Sequence, residues 1–321
     1  MRRRVLIAGG AGLVLARPGL AQGTWPNRPI RMVVPYTPGG ATDAMARLAA
    51  QKLQEKLGAT VVVENRAGAN GAIGSQAVLQ APADGYTILA SASIHPMARY
   101  VMKNAPYDPV TDFIAVARTA RGPLILVNNP RLPQATIPEI VAAAKRDPDK
   151  WSFATSSLGS AGHLAALEFN RMTGSAIEIV GYRGTSPALS DIAAGNVQLM
   201  FDPVLSTIQL IRGGQIRGVG IATAERSPLA PELPTVAEAG LPGFEFYSWY
   251  GVWAARATPR ELVDRMNAAL AEGMREAAVV ERLNGLGFEP VTQGVDELER
   301  FIAEDVARNA ALLRAANFQP E

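Results

Sequence analysis

A chain of 321 residues that is 48% apolar and 19% charged can fill the core of one large globular domain or two ordinary ones. Having no cysteine, it forms no disulfide and has no thiolate nucleophile, cysteine metal ligand or lipid-modified N-terminal cysteine. The net charge of +2 depends on residues 1–21, whose removal takes away Arg2, Arg3, Arg4 and Arg17 and leaves 27 basic against 29 acidic residues, with no basic block that suits nucleic acid.

Those first residues have the form of a secretory signal peptide. Three arginines precede the apolar stretch Val5–Ala16, and Gly19-Leu20-Ala21 supplies small residues for cleavage near Ala21. The apolar stretch is short for a membrane span, and the loose arginine pattern favours the Sec route over twin-arginine export. The mature chain is therefore expected to be an exported protein.

Beyond it, strand and helix signals alternate. Ile30–Val34 predicts a buried strand and Ala44–Leu57 a helix ended by Gly58; Thr60–Glu64 predicts a strand, Ile73–Ala81 a short helix and Tyr86–Ala90 a third strand. This order favours a parallel sheet covered by helices. After the apolar run Leu124–Pro130 the pattern restarts, with a helix over Ile137–Arg146, a strand over Trp151–Ala154 and a helix over His163–Thr173. Ile177–Val180, Pro187–Ala194, Val197–Phe201, Ile208–Arg212 and Val219–Ala222 continue it, and helices over Arg260–Arg275 and Val295–Ala315 dominate the C-terminal part. Val116–Val127 and Ser248–Ala255 are the segments suited to carry the chain between lobes. The expected division is 22–120 with 252–321 in a discontinuous first lobe and 121–251 in a second. Two crossings make a hinge, and a hinge permits closure on a ligand.

Two strand-to-helix loops carry the chemistry. Pro35-Tyr36-Thr37-Pro38-Gly39-Gly40-Ala41-Thr42-Asp43 and Thr155-Ser156-Ser157-Leu158-Gly159-Ser160-Ala161-Gly162-His163 each combine small residues, hydroxyls and a helix start, without Lys or Arg. The first N–H groups of a helix lack internal partners and its dipole makes that end partly positive, so two such loops facing each other suit a small carboxylate. The competing reading is of ordinary connections with capping residues. Asp43 has two readings as well: an i,i+4 partner of Arg47 in the first helical turn, or an acceptor for a ligand donor or bridging water. Asp202, before Pro203, is either a turn initiator or a ligand group. Arg183, beside Tyr182 and Gly184, is either a surface residue or a clamp on a distal carboxylate.

Other motifs fail. Gly68, Gly71 and Gly74 have the wrong spacing for a dinucleotide fingerprint, and no phosphate-binding G-x-x-x-x-G-K-[ST] occurs. His163 lies near Ser156, Ser157 and Ser160, but no G-x-S-x-G surrounds a serine, and capping or packing is the favoured role. The only histidines, His95 and His163, lack metal-ligand spacing. Trp249, Tyr250 and Trp253 suit core or hinge packing. No cofactor is expected.

Segments along the mature chain resemble the tripartite tricarboxylate transporter substrate-binding receptors, the Bug family. They are Trp25–Ile30, Val33–Asp43, Val61–Gly68, Asp84–Thr87, Tyr107–Pro109, Gly159-Ser160 with His163-Leu164, Tyr182–Gly184 and Pro234–Gly240. The resemblance implies an α/β, two-lobed periplasmic binding protein (type II, Venus-flytrap) with two crossover strands as hinge. It implies a monomeric, non-catalytic receptor that hands a small organic carboxylate to the membrane components of the transporter. The alternatives are a periplasmic enzyme acting on a small organic acid and a ligand-sensing partner of a signalling protein. The candidate ligand-binding residues are Tyr36, Thr37, Pro38, Gly39, Gly40, Thr42, Asp43, Ser156, Ser157, Gly159, Ser160, His163, Tyr182, Arg183, Gly184 and Asp202. Tyr36-Thr37 stands where the family usually has Phe-Pro, which bears on ligand preference.

Overall fold

The computed structural model describes residues 25–320, so the signal segment lies outside the described residues. The first strands and helices are β1 (Ile30–Val34), α1 (Ala41–Leu57), β2 (Val61–Asn65), α2 (Ala72–Leu79), β3 (Thr87–Ala92) and the single turn α3 (Ala98–Val101). β1 pairs in parallel with β2 and β3, as the alternating pattern predicts. Gly58 ends α1 in the left-handed conformation (φ 69°) and returns its N–H to Gln54 O. α2 lies close against the end of β1 because Gly74 has no side chain: a Cβ there would stand 2.8 Å from Pro35 Cα and 2.9 Å from Arg66 O.

The 16-residue strand β4 (Phe113–Asn128) then runs through two sheets. The second sheet adds α4 (Ile137–Arg146), β5 (Ser152–Thr155), α5 (Ala161–Thr173), β6 (Glu178–Gly181), α6 (Thr185–Ala194), β7 (Leu199–Pro203), α7 (Val204–Arg212) and β8 (Arg217–Ile221). The chain returns through β9 (Tyr247–Ala255), α8 (Arg260–Met274), α9 (Ala277–Gly285), β10 (Glu289–Pro290) and α10 (Val295–Ala315). The main strand order is β2-β1-β3-β9-β4-β7-β5-β6, with β8 and β10 also on β4. β4 pairs with β9 from Phe113 to Pro123 and with β7 from Leu124 to Asn128. The fold is thus two α/β lobes joined through crossing strands. All of β9 pairs within the first sheet, so the return crossing precedes Tyr247, whereas the expected division fell at 251/252.

Period-two alternation divides each sheet's side chains between two apolar clusters. In the first lobe Ile30, Met32 and Val34 face α1 and α8, while Val33, Leu89 and Trp253 face α10. In the second, Leu124, Leu126, Phe153 and Phe201 pack beneath α4 and α5, and Ile125, Val127 and Met200 beneath α6 and α7. Each large side chain buried in this way contributes about 1.5–3 kcal/mol. Trp249, Tyr250 and Trp253 are all core residues. The α10 residues Val306 and Leu313 share a cluster with Leu164 of α5 and Trp249 of β9, so α10 packs against both lobes.

Candidate functional site

The C-terminal ends of the parallel strands in the two lobes face each other. From the first lobe come Pro35–Gly40 after β1 and the turn Gly68–Gly71 after β2; from the second come Ser156–Ser160 after β5, Tyr182–Gly184 after β6 and Asp202 at the end of β7. A cleft at this position is where open α/β sheets take ligands. Among the described residues the two sides approach closely across it. Asn70 Nδ2 donates to Leu158 O at 3.1 Å. Thr37 Oγ1 would lie 3.9 Å from a Cβ on Gly184, and a Cβ on Gly159 would lie 3.1 Å from Val101 and 3.3 Å from Met97.

The two loops are built to one plan. Gly39 (φ 89°) and Gly159 (φ 80°) both adopt the left-handed conformation that an L side chain resists. Each glycine precedes the N-cap of a helix, and each N–H is accepted by the side chain four residues on. Gly39 N–H donates to Asp43 Oδ2 at 3.1 Å, and Gly159 N–H donates to His163 Nδ1 at 3.0 Å. At α1 the N-cap is Gly40 and supplies no side-chain bond; at α5 it is Ser160, whose Oγ accepts from His163 N–H at 3.2 Å. Thr155 Oγ1 meets Ser160 Oγ at 3.0 Å and bonds Ser157 O at 3.1 Å, so the second loop is braced by hydroxyls. Gly184 N–H donates to Ser156 O at 3.0 Å, tying the β6 loop to it.

Asp43 is 5% exposed, and its carboxylate takes four donors. Besides Gly39 they are Arg47 Nε on Oδ2 (3.0 Å), a second Arg47 nitrogen on Oδ1 (3.1 Å) and Asn65 Nδ2 on Oδ1 (3.0 Å). A carboxylate offers about four lone-pair sites, and here all four face protein donors. Burial would raise its pKa, but the hydrogen bonds from Arg47, Asn65 and Gly39 outweigh it and hold the group below the usual carboxylate range. Asn65 also donates to Tyr36 O at 3.1 Å, which fixes the start of the loop. The first loop thus rests on an ion pair.

His163 is 1% exposed, and burial lowers its pKa to about 4, so it holds Gly159 as a neutral acceptor. Its ring meets Phe318 edge-on at 5.1 Å between centroids. Ser160 bonds the His163 backbone and Thr155 rather than the imidazole, so no serine–histidine pair forms among these groups.

The remaining candidates differ in placement. Thr37 and Pro38 are exposed on the cleft rim, and Ser156 and Ser157 are half-buried. Thr42, with Ser91, Thr119 and Tyr250, lines a crevice under the start of α1. Tyr36 lies against Gly71, its hydroxyl 3.2 Å from where a Cβ would sit, and burial raises its pKa. Tyr182 turns its hydroxyl to Asp191 Oδ2 (2.7 Å); burial and that carboxylate raise its pKa to about 12. Arg183 is exposed and has no hydrogen bond or ion pair among the described residues. Asp202 is 2% exposed; Oδ1 accepts from Thr185 Oγ1 at 3.3 Å, while Oδ2 has no hydrogen-bond partner among the described residues. Burial outweighs the lowering by the Ser206 and Thr185 hydroxyls and raises its pKa to about 7. Sequence reasoning missed Asn65 and Asn70 as site-building residues, although the run of glycines around Asn70 marks a turn of unusual backbone.

Known proteins share this chain's sequence and fold. Residues 45–318 match the model of the tripartite tricarboxylate transporter family receptor. Protein BugT of Bordetella pertussis is 38% identical over 309 residues, covering 94% of this chain and 95% of BugT. Rpa4515 of R. palustris, solved with adipate, superposes with a TM-score of 0.87 at 37% identity, covering 92% of this chain and 100% of that one. The periplasmic binding protein BugD superposes with a TM-score of 0.84 at 34% identity, again covering 92% and 100%. The chain therefore belongs to the tripartite tricarboxylate transporter receptor family, in its Bug branch, and has the two-lobed fold of a periplasmic binding protein.

Proposed function

We propose that this chain is a periplasmic receptor that closes on a small dicarboxylate and presents it, as a monomer, to the membrane components of a tripartite tricarboxylate transporter. The observation that carries the reading is the matched pair of loops at the starts of α1 and α5, brought together across one cleft. With Gly39 and Gly159 N–H already accepted, the donors left for a ligand are the next N–H groups of the two helices and the hydroxyls of Thr37, Ser156 and Ser157. Neutral donors hold an anion without a fixed counter-charge, which suits release as much as capture. We assign exposed Arg183 to a second carboxylate. We place the pivots where β4 passes between sheets, at Pro123–Leu124, and where the chain re-enters the first sheet at Tyr247.

We read the site as non-catalytic. Its histidine is occupied by a backbone N–H, and Asp43 is held by an ion pair. A panel of adipate, malate, citrate and a neutral diol tests the proposal by thermal shift and calorimetry. An acid at 100 times its Kd stabilises the fold by about 2.7 kcal/mol. At least one acid is expected to stabilise the chain and to be recovered unchanged, with no effect of the diol. A folded, empty chain that responds to none of the acids, or that converts one of them, overturns it.

A further inference from the structure

The contact least expected from the sequence is made by the turn that failed as a nucleotide motif. Residues Gly68, Ala69, Asn70 and Gly71 all have positive φ (131°, 47°, 50° and 91°), so two residues with side chains occupy the left-handed region in succession. Asparagine tolerates that region better than most residues, and glycine best of all. The conformation carries the Asn70 carboxamide out of the first lobe to Leu158 O, in the middle of the second lobe's ligand loop. The same turn presses on the first loop, since a Cβ on Gly71 would meet the Tyr36 ring at 3.2–3.4 Å. One short turn therefore touches both halves of the clamp. Gly68 leaves room for it, because a Cβ there would lie 2.6 Å from Ile73 Cδ1.

We propose that Asn70 is a closure latch, a positioning residue whose cross-cleft hydrogen bond to Leu158 O forms only when the lobes meet and sets how long a bound acid is retained. The inference rests on the two-lobed receptor reading above. Opening the cleft breaks this bond and returns both groups to water, so the latch acts on departure and leaves the encounter with ligand unchanged. A neutral hydrogen bond of this kind changes an equilibrium about 2- to 10-fold.

Asn70→Gly and Asn70→Ala test it together. Glycine removes the carboxamide but eases the backbone; alanine removes it and keeps the strain. A latch requires both variants to raise the dissociation rate of adipate or malate by about 2- to 10-fold, with association unchanged. If Asn70→Gly releases ligand like the wild type, the latch is overturned, and a defect in Asn70→Ala alone assigns Asn70 to turn geometry. Because the chain has no cysteine, Gln51→Cys and Glu178→Cys, both exposed and one in each lobe, can carry a fluorescent donor and acceptor. Both Asn70 variants should lower the closed fraction in this background. If the wild type binds neither acid, the carboxylate reading fails, and the ligand-free closed fraction still decides the latch.

Discussion

The two loops at the starts of α1 and α5 share a geometry and differ in what enforces it. Both place a left-handed glycine before a helix and accept its N–H on the side chain of the third helical residue. In the first loop that side chain is a carboxylate, fixed by Arg47 and Asn65 and shifted toward ionisation. In the second it is a buried neutral imidazole, backed by the hydroxyls of Thr155 and Ser160 and the ring of Phe318. The difference teaches that the common requirement is an acceptor at one position relative to the glycine, not a charge. It also gives the two halves of the clamp different weak points: the first is held electrostatically, the second by packing and by proton exclusion.

The largest test of this contrast is steric. The second helical position is Thr42 in α1, which has room for a side chain, but Gly162 in α5, where a Cβ would run into the Phe201 carbonyl. Gly162→Ala should lift α5 off β7 and cost about 3 kcal/mol or more in denaturant unfolding. A loss below about 1 kcal/mol would show that α5 is not fixed by this contact. The next test is acid. His163 titrates near 4 in the fold against an ordinary value of about 6.5, so the unfolded chain takes up a proton that the folded chain refuses. Stability conferred by neutral His163 is full above pH 6.5 and falls as pH drops toward 4. His163→Asn keeps an acceptor without the titration, and should remove roughly 2–3 kcal/mol of the stability difference between pH 7 and pH 4.5. An unchanged difference would clear His163 of the acid response. Asp43 responds to pH with the same sign but in a lower window: its contribution is present above the carboxylate range and is lost as pH falls through it, so the second loop loosens first on acidification.

Asp43→Asn removes the charge while keeping the shape. It should lower stability by about 1 kcal/mol and weaken acid binding by a larger free energy, because the loop that it shapes is the proposed binding surface. Equal stability loss with unaltered affinity would reduce Asp43 to a cap. The smallest effect belongs to Arg47, whose side chain is 54% exposed: Arg47→Gln should cost less than about 1 kcal/mol, and salt should diminish it further.

Much of the fold was legible because its signals are local. Apolar runs such as Ile30–Val34, and glycines at helix ends such as Gly58, state their structure within a few residues. The first crossing was visible as the apolar stretch Val116–Val127, whereas Ser248–Ala255, expected as the second, lies within the first sheet; that Phe113–Asn128 is one strand serving two sheets follows from pairing partners far away in sequence. The paired loops were legible from composition. Their locks were half legible: the i,i+4 pair of Asp43 and Arg47 follows from spacing, whereas the Gly159–His163 bond needs the left-handed glycine to turn its N–H back. Asn70 was not legible, because its partner is a backbone carbonyl, which has no residue signature.

The strand order also governs what the molecule risks each time it works. Among the described residues every strand ladder lies within one sheet, and β4 joins the sheets through its own covalent backbone. Parting the lobes exposes loops and the side chains between them, but uncovers no row of unpaired strand N–H and C=O groups. In the proposed cycle, opening therefore adds no bare strand edge, of the kind on which chains template one another into aggregates, to the outer edges of β2 and β6.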